Sequence, residues 1–190
     1  MTMVDGGLSH FAIDAKASLF TVQAFAAGMI AVVAHSPKFA IRDFDVDMAF
    51  VPGSMQRASV HVAIRVGSLE IMDEVSKSER HEIDRVMFDE VLERAIYPTV
   101  EYKSSRVTAS KNGENVYRVN VAGDLRLHGV TRGLSLEAQV ATGEDSLRAQ
   151  GSFALKQSEF GLRVASIAGG TLKLRDELKF SYFILGRRCD

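Results

Sequence analysis

Much of the chain alternates apolar and polar residues with period two, the pattern of a strand with one face on a core. In "DFDVDMAF", Phe44, Val46, Met48 and Phe50 oppose Asp43, Asp45 and Asp47. In "RASVHVAIRV", Val60, Val62, Ile64 and Val66 oppose His61 and Arg65. Val119, Val121, Leu125 and Leu127 alternate with Arg118, Asn120, Asp124 and Arg126, and Leu134, Leu136, Ala138 and Val140 with Ser135, Glu137 and Gln139. "SLRAQGSFALKQ" and "DELKFSYFIL" continue the rhythm. Turn-forming clusters separate the runs, beginning at Pro52, Lys111, His128, Thr142 and Ala168. Strands of this length and spacing predict an all-β barrel or sandwich built mostly of antiparallel hairpins.

One segment has a different period. In "SKSERHEIDRVMFDEVLERAIYP", Ile83, Val86, Met87, Phe88, Val91, Leu92, Ala95 and Ile96 form a broad helical stripe. Ser76 with Glu79 three residues on makes a capping box at its start. Pro98 disfavours a helical residue at Tyr97, which predicts the stop there. An amphipathic helix inserted between strands must bury its stripe, and the mouth of a barrel offers the surface.

The most apolar stretch, "AFAAGMIAVVAHS" from Ala24 to Ser36, admits three readings. A secretory signal needs a basic leading region, but Asp5 and Asp14 precede the stretch against a single Lys16. Cleavage after Ala34 would also remove "HFAID" and "ASLFTVQAF", which read as strands. A membrane anchor needs roughly 20 apolar residues; this stretch is too short, and counting back to Leu19 takes in Thr21 and Gln23 besides Gly28. The third reading is expected: Phe25 to Ala34 form an apolar connection near the barrel entrance, and the chain re-enters the barrel at Phe39. A cytoplasmic address follows from the same flanks.

Composition narrows the function classes. The 190 residues suffice for one good core, expected as a single domain with its core at about 9–187. A formal net charge of -1 argues against a nucleic-acid partner. The lone Cys189 makes no intrachain disulfide. Asp43, Asp45 and Asp47 begin like a calcium loop, but Met48 stands where such a loop needs Gly and Ser54 where it needs Glu. The histidines, His10, His35, His61, His81 and His128, have no helix-spaced pair. Nucleophile-elbow, P-loop and dinucleotide-binding spacings do not occur. Neither a metal nor a cofactor is expected. What remains is an excess of inward apolar positions, and a small barrel can be filled by side chains or hold one ligand.

Four segments carry a resemblance that bears on this choice. "YPTVEYKSSRV" at Tyr97 to Val107 resembles the Y-P-x-x-x-F-x-S segment of the YceI-like family, with Tyr102 in place of Phe. Gly123, Leu125, His128, Gly129, Val130, Thr131 and Arg132 match that family's G-x-L-x-x-H-G-V-T-[KR] hairpin. Ser158, Phe160 and Gly161 are similar to its S-x-F-G strand end, and "HFAIDAKASLFTVQA" to its opening strand pair. The resemblance implies an extended antiparallel eight-stranded, lipocalin-like barrel with a long cavity for an isoprenoid lipid, a quinone or a fatty-acid-like amphiphile. A homodimer is also implied. The longer helical insert and the apolar 24–36 stretch depart from the family pattern.

The expected function is therefore enclosure of a hydrophobic ligand without bond chemistry. The wall residues expected from alternation are Phe20, Val22, Phe44, Val46, Met48, Val60, Val62, Ile64, Val119, Val121, Leu125, Leu127, Phe153, Leu155 and Phe180, with Met87 and Val91 from the helix. His128 and Arg132 are expected to serve the turn rather than a headgroup. An enzyme on a hydrophobic substrate would carry a His and a carboxylate at the cavity mouth. A strongly shifted pKa in the pocket would favour it, and a wholly apolar pocket would count against it. A scaffold protein would have a filled interior and a large exposed apolar patch.

Overall fold

The structure, a computed structural model, describes residues 7–27, 36–51, 57–164, 166–167 and 172–189. The strands are β1 (Ser9–Ile13), β2 (Leu19–Ala26), β3 (Lys38–Ile41), β4 (Phe44–Phe50), β5 (Ser59–Arg65) and β6 (Leu69–Ile71). The helix α1 (Lys77–Arg85) follows, then β7 (Thr99–Gly113), β8 (Val116–Leu127), β9 (Val130–Thr142), β10 (Ser146–Lys156), β11 (Ser166–Ile167) and β12 (Leu172–Cys189). All pairings are antiparallel, and β1, β4, β5, β7, β8, β9, β10 and β12 close into an eight-stranded ring through the β1–β12 pair.

The first six strands are three strands broken in the middle. β1 and β2 both pair with β12, the first at Gly186–Cys189 and the second at Leu174–Phe183. The break is a turn in which the Asp14 carboxylate accepts from the backbone N–H groups of Lys16 and Ala17. β3 and β4 break at Arg42 and Asp43, and a 3-10 turn at Val66–Ser68 parts β5 from β6. The outer halves form a ribbon in which β2 pairs β3 and β3 pairs β6.

That half of the barrel is less completely closed by hydrogen bonds. Among the described residues β6 has no strand beyond it, and the helix lies between β6 and β7 in the chain. The β9–β10 ladder also stops at the Gly151–Ala138 pair. Beyond it β9 stays paired to β8 as far as Val130, and β10 to β12 as far as Lys156. The two strands splay apart, and at the far end the Arg132 guanidinium donates to the Glu159 carbonyl in a 3-10 turn at Gln157–Phe160.

The helix starts where its sequence signal lies. The Ser76 hydroxyl accepts from the Glu79 N–H, and the Glu79 carboxylate accepts from the Ser76 N–H. Those bonds hold the Glu79 carboxyl below the usual carboxylate range. Its end differs from the expectation. After Arg85 the helix widens into a π-turn at Val86–Val91, and Glu93 is left-handed at φ 44. The Arg94 N–H turns back to the Phe88 carbonyl at 2.9 Å. Ala95 and Ile96 therefore lie beyond the helix, and Ile96 is 64% exposed. Where the helix stops, the Glu93 carboxylate meets His128 Nε2 at 2.7 Å.

His128 and Gly129 form the two-residue turn between β8 and β9, at φ 51 and φ 74. Positive φ at both positions marks a type I′ hairpin turn. The Tyr97 ring covers this turn, with its centroid 4.3 Å from the His128 ring, and a Cβ at Gly129 would meet it at 2.8 Å. The turn role expected for His128 is what its backbone shows. Arg132 leaves the turn to hold the 3-10 segment.

Three sequence expectations fall partly on segments outside the described residues: the 24–36 stretch at 28–35, the turn beginning at Pro52, and the turn beginning at Ala168. The described part of the first corrects one boundary, since Phe25 and Ala26 belong to β2 rather than to a connection. Residues ahead of the stretch form β1 and β2, both paired to β12. Cleavage after Ala34 would remove both strands from the sheet. Phe39 enters β3 as expected.

Candidate functional site: an apolar cavity

The inward side chains of the barrel leave a cavity of about 270 Å3. Each wall follows from the period-two rule, because one face of every strand points to the axis. Val46 and Met48 contribute from β4, Val60, Val62 and Ile64 from β5, and Val119, Val121, Leu125 and Leu127 from β8. Phe153 and Leu155 line it from β10, Phe180 from β12, and Phe20 and Val22 from β2. Met87 and Val91 line it from the π-turn after α1, joined by Ile83, Val86 and Leu92.

Phe44 alone among the expected wall residues is placed differently. It is buried and packs against Phe20, ring edge to ring face at 6.1 Å, and does not line the cavity. Phe20 is the hub of this cluster, with the Phe180 and Tyr182 rings at 6.4 and 6.2 Å. Phe180 in turn stacks on Phe153 at 4.8 Å.

Other lining residues were not among the expected set. Leu134, Leu136, Ala138 and Val140 of β9 line the cavity, and their alternation was already visible in the sequence. Leu147 also lay in a quoted alternating stretch, whereas Ile41 and Leu162 had weaker signals, one on a short strand and the other beyond a 3-10 turn. Tyr102 and Tyr182 also face inward. A tyrosine in a β pattern reads equally well as an inner or an outer residue, which hid these two.

Among the described residues the polar ones on the lining are Ser59, Tyr102, Gln157 and Tyr182. Gln157 is buried and donates through Nε2 to the Arg175 carbonyl at 3.0 Å. The Tyr102 hydroxyl donates to the Val121 carbonyl at 2.8 Å, with the Leu134 carbonyl at 3.2 Å. The Tyr182 hydroxyl donates to the Glu137 carbonyl at 3.0 Å. Burial pushes both phenols up to about 12, and for Tyr102 the neighbouring Tyr182 and Asp124 add to the effect.

Each tyrosine lies across a glycine. A Cβ at Gly123 would sit 2.8 Å from the Tyr102 hydroxyl, and one at Gly151 would sit 2.4 Å from that of Tyr182. The missing side chain is what lets each ring cross the adjacent strand toward β9. Gly151 is also the last residue of β10 paired to β9, and Tyr182 occupies the Glu137 carbonyl just past the fork.

The charged groups lie elsewhere. Among the described residues no Asp, Glu, His, Lys or Arg lines the cavity. Asp45 pairs with Arg65 at 2.8 Å, and Asp47 faces His10 at 3.9 Å, both on the outer face of β4. Glu90 on the π-turn bridges Arg85 and Arg163, and chiefly the Arg85 hydrogen bond holds its carboxyl below the usual range. This bridge ties the helix to the segment after the 3-10 turn. Ser158 donates to Asp176 through its N–H and hydroxyl, which holds that carboxyl low as well. Among the described residues no helix is long and apolar enough to cross a membrane.

Solved structures share this architecture at low sequence identity. The chain is similar to BcnA of Burkholderia cenocepacia, with 20% identity, a TM-score of 0.69, and 91% of this chain and 98% of that one covered. A polyisoprenoid binding domain from Saccharophagus degradans, implicated in plant cell wall breakdown, superposes with a TM-score of 0.66 at 14% identity, covering 95% of this chain and 99% of that one. The YCEI protein of Campylobacter jejuni matches with a TM-score of 0.60 at 15% identity over 79% of this chain and 84% of its own. No curated protein matches by sequence. These likenesses concern the fold, and the family is settled by the sequence profile of the YceI-like domain, which matches residues 11–183. The four motifs, the eight-stranded ring and this match agree: the chain belongs to the YceI-like domain family.

Proposed function

We propose that the protein encloses a hydrophobic amphiphile, an isoprenoid-chain lipid or a molecule of similar length and polarity, in its barrel and stores or carries it without bond chemistry. The observation that carries the reading is the cavity itself. It is lined by apolar side chains from strands and helix together, and the only titratable groups on its described lining are two phenols raised to about 12 by burial. A phenol held that high, with its proton on a backbone carbonyl, is a poor general acid or base near neutral pH. The unfilled interior weighs against a packed scaffold. The Saccharophagus degradans relative's description as a polyisoprenoid binding domain supports the ligand class.

Each methylene moved from water contributes about 0.8 kcal/mol, so a long tail gains more, gross, than the roughly 20 kcal/mol ceiling of noncovalent binding. Ordering the tail and withdrawing it from a membrane offset most of that gain. Uptake at the helix-covered half suits the architecture, because there side chains rather than ladder bonds complete the wall.

Native mass spectrometry of the purified protein, followed by organic extraction and lipid analysis, tests the reading. A stoichiometric prenyl lipid, quinone or fatty acid is expected. A bare mass, together with no binding of added prenols, quinones and fatty acids, would sink it.

A further inference from the structure

The outer wall of the barrel has a feature that enclosure of a ligand does not use. Leu147 and Phe153 of β10, Phe180 and Ile184 of β12, and Phe20 and Val22 of β2 line the cavity. The alternate residues of these three adjacent strands therefore point outward. β10, β2 and residues 178–189 of β12 contain no Asp or Glu. Their outer face carries Arg148, Lys156, Lys179 and Arg187, all exposed, in a chain whose formal net charge is -1.

Elsewhere on the wall cations sit against carboxylates. Lys103 is opposite Asp124 and Arg126 opposite Glu101 in the β7–β8 ladder, and Arg65 pairs with Asp45. Among the described residues Arg148, Lys179 and Arg187 make no ion pair. Asp145, just ahead of β10, faces Arg188 at 3.8 Å instead. Positive charge left unpaired across one sheet face is complementary to an extended anionic surface.

The centre of this face is apolar. Leu19 of β2 is opposite Phe183 of β12, and Leu185 is the next outward residue along β12. Leu19 is 44% exposed, and Phe183 and Leu185 are half-buried. Arg148 is opposite Leu185, while Lys179 and Arg187 lie toward the two ends of the same stretch of β12. A nucleic acid or an acidic protein would engage the cations alone. A lipid surface engages both sets, with phosphates at the Arg and Lys groups and the acyl boundary at the Leu and Phe side chains. The face also borders the fork: Gln150, opposite Phe183, precedes Gly151, the last residue of β10 paired to β9. Past that point no ladder joins the arms that carry Leu136 and Phe153, two residues of the cavity wall.

We propose that the outer face of β10, β12 and β2 docks on a membrane surface containing anionic lipid. Leu19, Phe183 and Leu185 form the centre of the contact, and Arg148, Lys179 and Arg187 surround them. Docking in this way brings the β9–β10 fork to the bilayer. The proposal goes beyond enclosure and does not depend on it.

Sedimentation with phosphatidylcholine vesicles, with and without phosphatidylglycerol, tests the docking at low and at high salt. Wild type is expected to bind the phosphatidylglycerol vesicles, and less so at high salt. Arg148→Ala combined with Arg187→Ala is expected to weaken binding by more than about tenfold, at roughly fivefold for each cation near the surface. Phe183→Gln is expected to weaken it by roughly 3- to 10-fold. Lys103→Ala combined with Arg126→Ala removes the same charge from the β7–β8 face and should leave binding nearly unchanged. Urea midpoints close to that of wild type show that the variants are folded. Equal losses from the two double variants overturn the proposal. So does a failure of wild type to bind either vesicle, which would leave an acidic macromolecule as the partner of this face. Vesicle binding by a protein that encloses no lipid would uphold the docking and sink the enclosure reading.

Discussion

The two halves of the barrel are closed by different forces. In one half β1 pairs with both β12 and β4, β4 with β5, and β5 with β7, so backbone hydrogen bonds run around the ring without a gap. In the other half β6 ends the β2–β3–β6 ribbon, and β9 parts from β10 below Gly151. There the enclosure depends on side chains: the stripe of α1 and its π-turn, and the Arg132 contact to the 3-10 segment. Ladder bonds form and break together along a strand, whereas a docked helix can open on its own with a smaller free energy. A cavity protein that must admit a ligand gains from holding one half rigid and leaving the other to packing.

Equal truncations in the two halves test that contrast most strongly. Phe11 is buried in the ladder-closed half and stacks on Phe50 with ring centroids 4.7 Å apart. Phe11→Ala is expected to cost about 3–5 kcal/mol of global stability, read as a lower urea midpoint. Phe88 is equally buried on the π-turn, with the Arg94 guanidinium 4.5 Å above its ring. Phe88→Ala removes as much apolar surface but is expected to lower global stability by less, about 1–3 kcal/mol. Hydrogen exchange should show lost protection at 77–91 while β8 amides stay protected. Equal global losses, with no local opening of the helix, would erase the distinction between the halves.

The tyrosine at the fork gives the next effect. Burial raises Tyr182 above its ordinary value near 10, so the fold favours the neutral phenol. That contribution is whole below pH 10 and is lost as pH rises from 10 to about 12. Tyr182→Phe should flatten alkaline unfolding over this window, by an amount on the order of 1–2 kcal/mol. Absorbance of tyrosinate against circular dichroism checks it, and an unchanged alkaline transition would count against the buried fork. The smallest effect belongs to the helix start. Ser76→Ala loses the capping box and is expected to cost about 1 kcal/mol, visible as faster exchange in the first turn of α1 and little change in β10.

The depth to which the sequence could be read differs from element to element. Val119, Val121, Leu125 and Leu127 were assigned to the wall from alternation, and they line it because a long strand in a closed barrel has one inward face. The capping box located the helix start because its bonds are local. The helix end was misplaced because the chain closes at a left-handed Glu93, with the Arg94 N–H on the Phe88 carbonyl, five residues before the Pro98 signal. Phe44 alternates in phase with Val46 and Met48 yet does not line the cavity; beside the β3–β4 break it packs against the Phe20 ring.

The sequence by itself determined the inward face of the long strands, the hairpin turns beginning at Lys111, His128 and Thr142, and which family the motifs resemble. Period, turn chemistry and capping are all carried by neighbours in the chain. Only the tertiary structure decided that the interior stays unfilled, that β9 and β10 separate at Gly151, and that Tyr102 and Tyr182 converge on β9 from opposite sides. Those outcomes depend on how strands distant in sequence curve and meet, and on which side chain a glycine on the next strand leaves room for.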